Sequence, residues 1–68
     1  MKLKELLKVT DYRIPICLFV VGTGLICNGE EFDSSSSEFI PYYEYEVIDI
    51  QFEESYPYYH LLITVNKV

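Results

Sequence analysis

The spacing of apolar positions changes character along this chain, and each change predicts an element. Leu3, Leu6, Leu7 and Thr10 recur at i, i+3, i+4 and i+7, with Lys2, Lys4, Glu5 and Lys8 on the other faces. That is one face of a 3.6-residue period and predicts a helix over residues 2–9, ended by Asp11-Tyr12. Two turns are not stable alone, so the helix must lie on something apolar. Residues 13–21 are almost continuously apolar (Ile14, Ile16, Cys17, Leu18, Phe19, Val20, Val21) and read as a strand covered on both faces. The helix would cover one face and another element or a second chain the other. Pro15 cannot donate to a ladder, so its end of the strand should meet an edge or an irregularity.

Gly22-Thr23-Gly24 supplies the backbone freedom of a hairpin turn, and residues 25–28 return as a second strand. Gly29-Glu30-Glu31 breaks it. Residues 33–37 form a small polar, serine-rich patch expected to be a mobile loop. Phe39-Ile40 reads as a short strand, and Pro41 opens one α or 3₁₀ turn over residues 41–45.

The period-2 signal is clearest over residues 46–53, where Ile48, Ile50 and Phe52 alternate with Asp49, Gln51 and Glu53. Residues 58–66 form the last strand. A four-residue loop, Glu54 to Pro57, would pair Glu53 with Tyr58, Phe52 with Tyr59, Ile50 with Leu61 and Ile48 with Ile63. In that register Ile48, Ile50, Phe52, Leu61, Ile63 and Val65 share one buried face. The expected fold is α+β: one domain over residues 1–68, a short N-terminal helix packed on a small antiparallel sheet of two β-hairpins.

Composition bounds the function. The chain has 68 residues, half of them apolar, so it is no disordered tail. It has little room for both a scaffold and an enclosed catalytic pocket. Eleven acids against five bases give a net charge of −6, which argues against direct binding to nucleic acid, whose affinity comes from Lys and Arg. The charges are also segregated. Lys2, Lys4, Lys8 and Arg13 precede a stretch from Ile14 to Asn66 without a lysine or arginine. That stretch carries Glu30, Glu31, Asp33, Glu38, Glu44, Glu46, Asp49, Glu53 and Glu54. The resulting negative field has two readings, solubility or a surface built for a basic partner.

The apolar run Ile14–Cys27 is too short for a transmembrane helix, which needs about 20 residues. Glu5 and Asp11 spoil the basic region of a signal peptide, and Ile26 stands where a lipoprotein signal places a small residue. A cytoplasmic protein with reduced thiols and no membrane partner is expected.

Chemistry-bearing constellations are sparse, and the expectation is a protein that is not an enzyme, with no cofactor, no metal and no catalytic residue. His60 is the one histidine; it falls opposite Gln51 in the register above, with no adjacent nucleophile. Cys17 and Cys27 would face each other across a loop of Val21 to Thr23, as small core residues or as a pair able to bridge. With His60 they would still lack a fourth zinc ligand. Glu30, Glu31 and Asp33 lack the alternation of a calcium loop.

Tyrosine is the unusual component, seven in all. Tyr42, Tyr43 and Tyr45 flank Glu44 and Glu46; Tyr56, Tyr58 and Tyr59 follow Glu53 and Glu54. Aromatics among acids suit a protein interface, in which tyrosine supplies rigid area and carboxylates meet Arg or Lys. The competing reading is that the rings fill out a thin core. Tyr42, Tyr43, Glu44, Tyr45, Glu46, Asp49, Glu53, Glu54 and Tyr58 are therefore the candidate partner-binding residues.

The opening Met1-Lys2-Leu3-Lys4-Glu5-Leu6-Leu7, then a hairpin, a proline-led turn and the strand Glu46-Val47-Ile48-Asp49-Ile50, resembles small accessory proteins of bacterial phages and prophages, especially those of gut Firmicutes. The resemblance is a pattern over the whole chain, and no functional residue is carried over from it. It implies a protein of mobile-element origin acting in the host bacterial cytoplasm. Some small acidic proteins of this kind inhibit host defence enzymes, CRISPR nucleases among them, by occupying basic nucleic-acid grooves. The leading expectation is thus a non-enzymatic, anti-CRISPR-like inhibitor whose partner is a protein with a basic surface, such as a host nuclease. The alternative is a structural or regulatory homo-oligomer that uses the covered first strand as its interface.

Overall fold

A computed structural model describes residues 1–27, 32–55 and 58–67, the side chains of Ser55 and Tyr58 excepted. The elements are α1 (Leu3–Val9), β1 (Ile16–Val20), β2 (Gly24–Cys27), the 3₁₀ helix η1 (Ser37–Tyr42), β3 (Glu46–Ser55) and β4 (Tyr58–Asn66). The class is α+β, as expected.

The strands form one sheet in the order β2-β1-β4-β3. Both hairpins are present, β1 with β2 and β3 with β4, each antiparallel. The sheet as a whole is nevertheless mixed, because β1 and β4 pair in parallel, Ile16↔Leu61 through Val20↔Val65. This corrects the all-antiparallel expectation, and it explains the apolar first strand. The strand has neighbours on both sides, and Ile16, Cys17, Leu18 and Val20 are buried, but Phe19 is 40% exposed, so the expected cover on both faces holds fully only on the helix side. Pro15 lies just ahead of this strand and joins the ladder as an acceptor only, its carbonyl taking the Leu61 N–H at 2.8 Å.

Helix α1 buries Leu3, Leu6 and Leu7 as its period predicts. Its first turn is closed by the Lys2 N–H donating to Glu5 Oε1 at 2.8 Å. Its end is closed by the Thr10 hydroxyl donating to the Leu6 carbonyl at 2.7 Å. The three leucines pack with Ile16, Leu18, Val20, Cys27, Phe39, Ile63 and Val65 into one core. Phe39, fully buried, comes from η1 and not from a strand. The serine patch ahead of it is a hydrogen-bonded turn: the Asp33 carboxylate accepts the Ser35 N–H at 2.8 Å, and the Asp33 carbonyl accepts the Ser36 N–H at 3.0 Å.

Two bulges change the expected faces. The β1–β2 turn is the expected Val21-Gly22-Thr23, with Val20↔Gly24 closing it and Gly22 at φ 86°, where a side chain would be strained. The register then slips, so Cys27 pairs with Leu18 rather than Cys17. A one-residue slip exchanges faces. Cys27 joins the core under α1, and the two cysteines, both buried, do not face each other.

In the second hairpin, the pairing runs on to Ser55↔Tyr58, two residues beyond the expected register. A shift of two preserves parity, so Ile50, Phe52, Leu61 and Ile63 still share a face. A bulge between Val47 and Asp49 removes Ile48 from that set and puts Val47 against Val65. Burial is also more limited than expected: Ile63 and Val65 are fully buried, but Ile48, Ile50 and Phe52 are exposed at 54%, 44% and 59%. The reason is length. Ten residues at about 3.4 Å each carry β3 over roughly 34 Å, nearly the molecule's long axis of 35 Å. The seven residues of α1 cover only about 10 Å. The far part of the hairpin extends past the layer above it.

Candidate functional site

The candidate residues divide into two groups. Tyr42, Tyr43 and Tyr45 are half-buried and pack on the core. Tyr42 and Tyr45 meet edge to face, centroids 5.3 Å apart at 88°. These rings lie against the rim of the core. Glu44 receives Lys2 Nζ and Lys4 Nζ, each at 2.9 Å. The two ammonium groups hold its carboxyl at about 2, well below the usual carboxylate range. Glu46 accepts the Met1 ammonium at 2.7 Å. The basic N-terminal segment thus folds back onto Glu44 and Glu46 and neutralises them.

Asp49, Glu53 and Glu54 form the second group, all exposed on β3. Asp49 accepts the Gln51 amide at 3.1 Å. Glu53 lies 3.3 Å from His60 Nε2, the residue directly across the ladder. Among the described residues none of the three meets a lysine or arginine; Arg13 is engaged at 2.6 Å by Asp11. Asp49, Gln51 and Glu53 share the sheet face opposite the helix, with Thr64, Leu62 and His60 across from them. Glu54 lies on the helix-side face with Phe52 and Tyr59, whose rings are 5.8 Å apart. Tyr58 belongs to β4, but its side chain lies outside the described residues, as do Glu30, Glu31 and Tyr56.

A feature absent from the sequence reading joins this group: β3 is an outer strand of the sheet. The edge is occupied only at its start. Lys2 bridges Glu46 in antiparallel sense, and the Met1 carbonyl accepts the Val47 N–H at 2.8 Å. Beyond that point the direction of the remaining groups follows from alternation. The Leu61 N–H points to β1, since it donates to Pro15, so Leu61 and Phe52 form a non-bonded pair of the β3–β4 ladder. The main-chain groups of Phe52, and by the same alternation those of Ile50 and Glu54, point outward from the sheet. Where Met1 ends, a groove of about 330 Å³ opens between Met1, Val47, Ile48, Asp49 and Ile50. A second groove, of about 260 Å³, lies between Lys4, Leu7, Lys8, Ser34 and Tyr43.

Among the described residues, no three His, Cys, Asp or Glu side chains converge in a way that would hold a metal ion. None of the described helices is long and apolar enough to cross a membrane. A scan against protein-family models, a search of curated proteins and a search of solved structures each found no match, so the functional reading rests on the geometry.

Proposed function

We propose that the chain is a non-enzymatic interaction protein that presents the exposed half of β3 to a basic surface on a partner protein. The observation that carries this reading is the unequal treatment of its acids. Glu44 and Glu46 are neutralised within the fold, whereas Asp49, Glu53 and Glu54 face solvent without a lysine or arginine beside them among the described residues. Carboxylates held along a rigid strand create a directional negative field, which speeds encounter with a basic groove. In the form implied by the likeness to phage accessory proteins, that groove belongs to a nucleic-acid-binding host defence enzyme, the protein occupies it in the bacterial cytoplasm, and the effect is inhibition.

The partner-binding set is accordingly Asp49, Glu53 and Glu54, with the apolar Ile50 and Phe52 beside them. The test is a pull-down from host lysate followed by charge reversal. A stoichiometric partner should be lost as ionic strength rises, and Asp49→Lys with Glu53→Lys should abolish its capture while the circular dichroism spectrum persists. Normal capture by that folded double variant overturns the reading. The second reading, a homo-oligomer, draws on the exposure of Ile48, Ile50 and Phe52. Self-association in sedimentation, with no other protein captured, would replace the first reading by this one.

A further inference from the structure

The outer edge of β3 carries a more specific statement, which rests on the reading of β3 as a partner surface. We infer that the partner contributes an extended basic segment, with apolar residues alternating with Lys or Arg, which adds to β3 as a fifth strand. Three independent features define it. The first is the row of outward main-chain groups at Ile50, Phe52 and Glu54, which a strand would satisfy. The second is the division of side chains beside that row. Ile50 and Phe52 lie on one face, Asp49 and Glu53 on the other. An added strand alternates in the same way, so its apolar side chains lie against Ile50 and Phe52, and its basic ones against Asp49 and Glu53. The third is that the chain already does this to itself. Met1-Lys2 lies antiparallel on the start of the same edge, with its ammonium on Glu46 and Lys2 Nζ on Glu44. The added strand continues that line, and the groove by Ile48 takes one of its apolar side chains.

Charge disfavours a second copy in the pairing centred on Gln51. If two β3 strands paired antiparallel about Gln51, Asp49 would stand opposite Glu53 of the second copy, and Glu53 opposite its Asp49. Like charges directly opposite are destabilising, and each chain already carries −6. Acidic edge residues are a known guard against self-pairing, and here the same residues select a basic strand.

The test uses the whole protein and a nine-residue peptide of alternating valine and lysine. It should bind and slow amide hydrogen exchange at Ile50, Phe52 and Glu54. Proline is tolerated where an edge N–H faces solvent, so Ile50→Pro should keep the fold and weaken the peptide by about 10-fold or more. A peptide N-methylated at alternate residues should fail likewise and leaves the protein untouched. A block peptide of the same composition, four valines then five lysines, should bind more weakly. If it binds equally, and neither Ile50→Pro nor N-methylation matters, strand addition is wrong while the acidic-surface reading stands. If Asp49→Lys with Glu53→Lys binds the peptide as well as the original chain does, the acidic-surface reading falls too. Failure of the alternating peptide to bind, or protection of the same amides by self-association without peptide, overturns the inference.

Discussion

The two ends of the β3–β4 hairpin are built from similar residues and end up in opposite states. Near the start of β3, Val47 packs against Val65 under α1, and Glu44 and Glu46 are held by Lys2, Lys4 and the Met1 ammonium. A few residues further on, Ile50 and Phe52 are exposed and Asp49 and Glu53 have no such base beside them. The strand does not change between these ends; what covers it does. The N-terminal segment, Met1 and Lys2 running into α1, supplies apolar cover and the counter-charges together, and α1 spans only about a third of the strand's length. One end therefore serves the fold, and the other stays open to solvent, where the proposed function puts the partner.

The largest test of that contrast is stability. Leu18→Ala, at the fully buried centre under α1, is expected to cost about 2–5 kcal/mol, a large share of what so small a domain has. Phe52→Ala, at the exposed end, is expected to cost within about 1 kcal/mol. Urea denaturation of both variants measures the difference, and equal losses would mean that the far hairpin is part of the core.

Binding should show the reverse order. Asp49→Lys with Glu53→Lys is expected to reduce partner affinity by at least about 10-fold at low salt, with a smaller ratio as salt screens both proteins. Glu44→Gln, whose charge is already met by two lysines, should change affinity far less. Titration calorimetry at two ionic strengths separates the two ends.

Cys27 offers a chemical comparison. Burial pushes its thiol up, and the charge on Glu38 adds to this. Alkylation of Cys27 in the folded protein is expected to be much slower than in urea, read by mass spectrometry. Equal rates would place it outside the core.

The smallest effect is electrostatic. The Glu44 carboxyl should titrate at about 2 in an NMR pH series and move up toward the ordinary 4.5 in Lys2→Ala with Lys4→Ala. A carboxyl whose folded value is depressed stabilises the fold above its unfolded value and loses that contribution as pH falls through the folded one. The window here is from about 4.5 down to about 2. The pair is exposed, so salt should shrink the shift.

The sequence by itself determined the local elements. Leucine spacing placed α1, the Gly22-Thr23-Gly24 turn placed the first hairpin, and alternation placed β3 and β4, because each signal lies within one element. It also determined the parity of the second hairpin, since a register error of two residues leaves every side chain on its face. Two bulges escaped it, at Ile48 and opposite Leu18, because an extra residue in a strand has no mark in a regular apolar pattern. Only the tertiary structure decided the rest. Parallel pairing of β1 with β4 put β3 at an edge, and nothing local to either strand encodes which neighbour lies beside it. The same arrangement sorted the candidate residues. Tyr42, Tyr43 and Tyr45 pack against the core, and the surface carboxylates divide into Glu44 and Glu46, paired with bases, and Asp49, Glu53 and Glu54, beside no lysine or arginine among the described residues, because the pairing bases lie some forty residues away in the chain and adjacent in space.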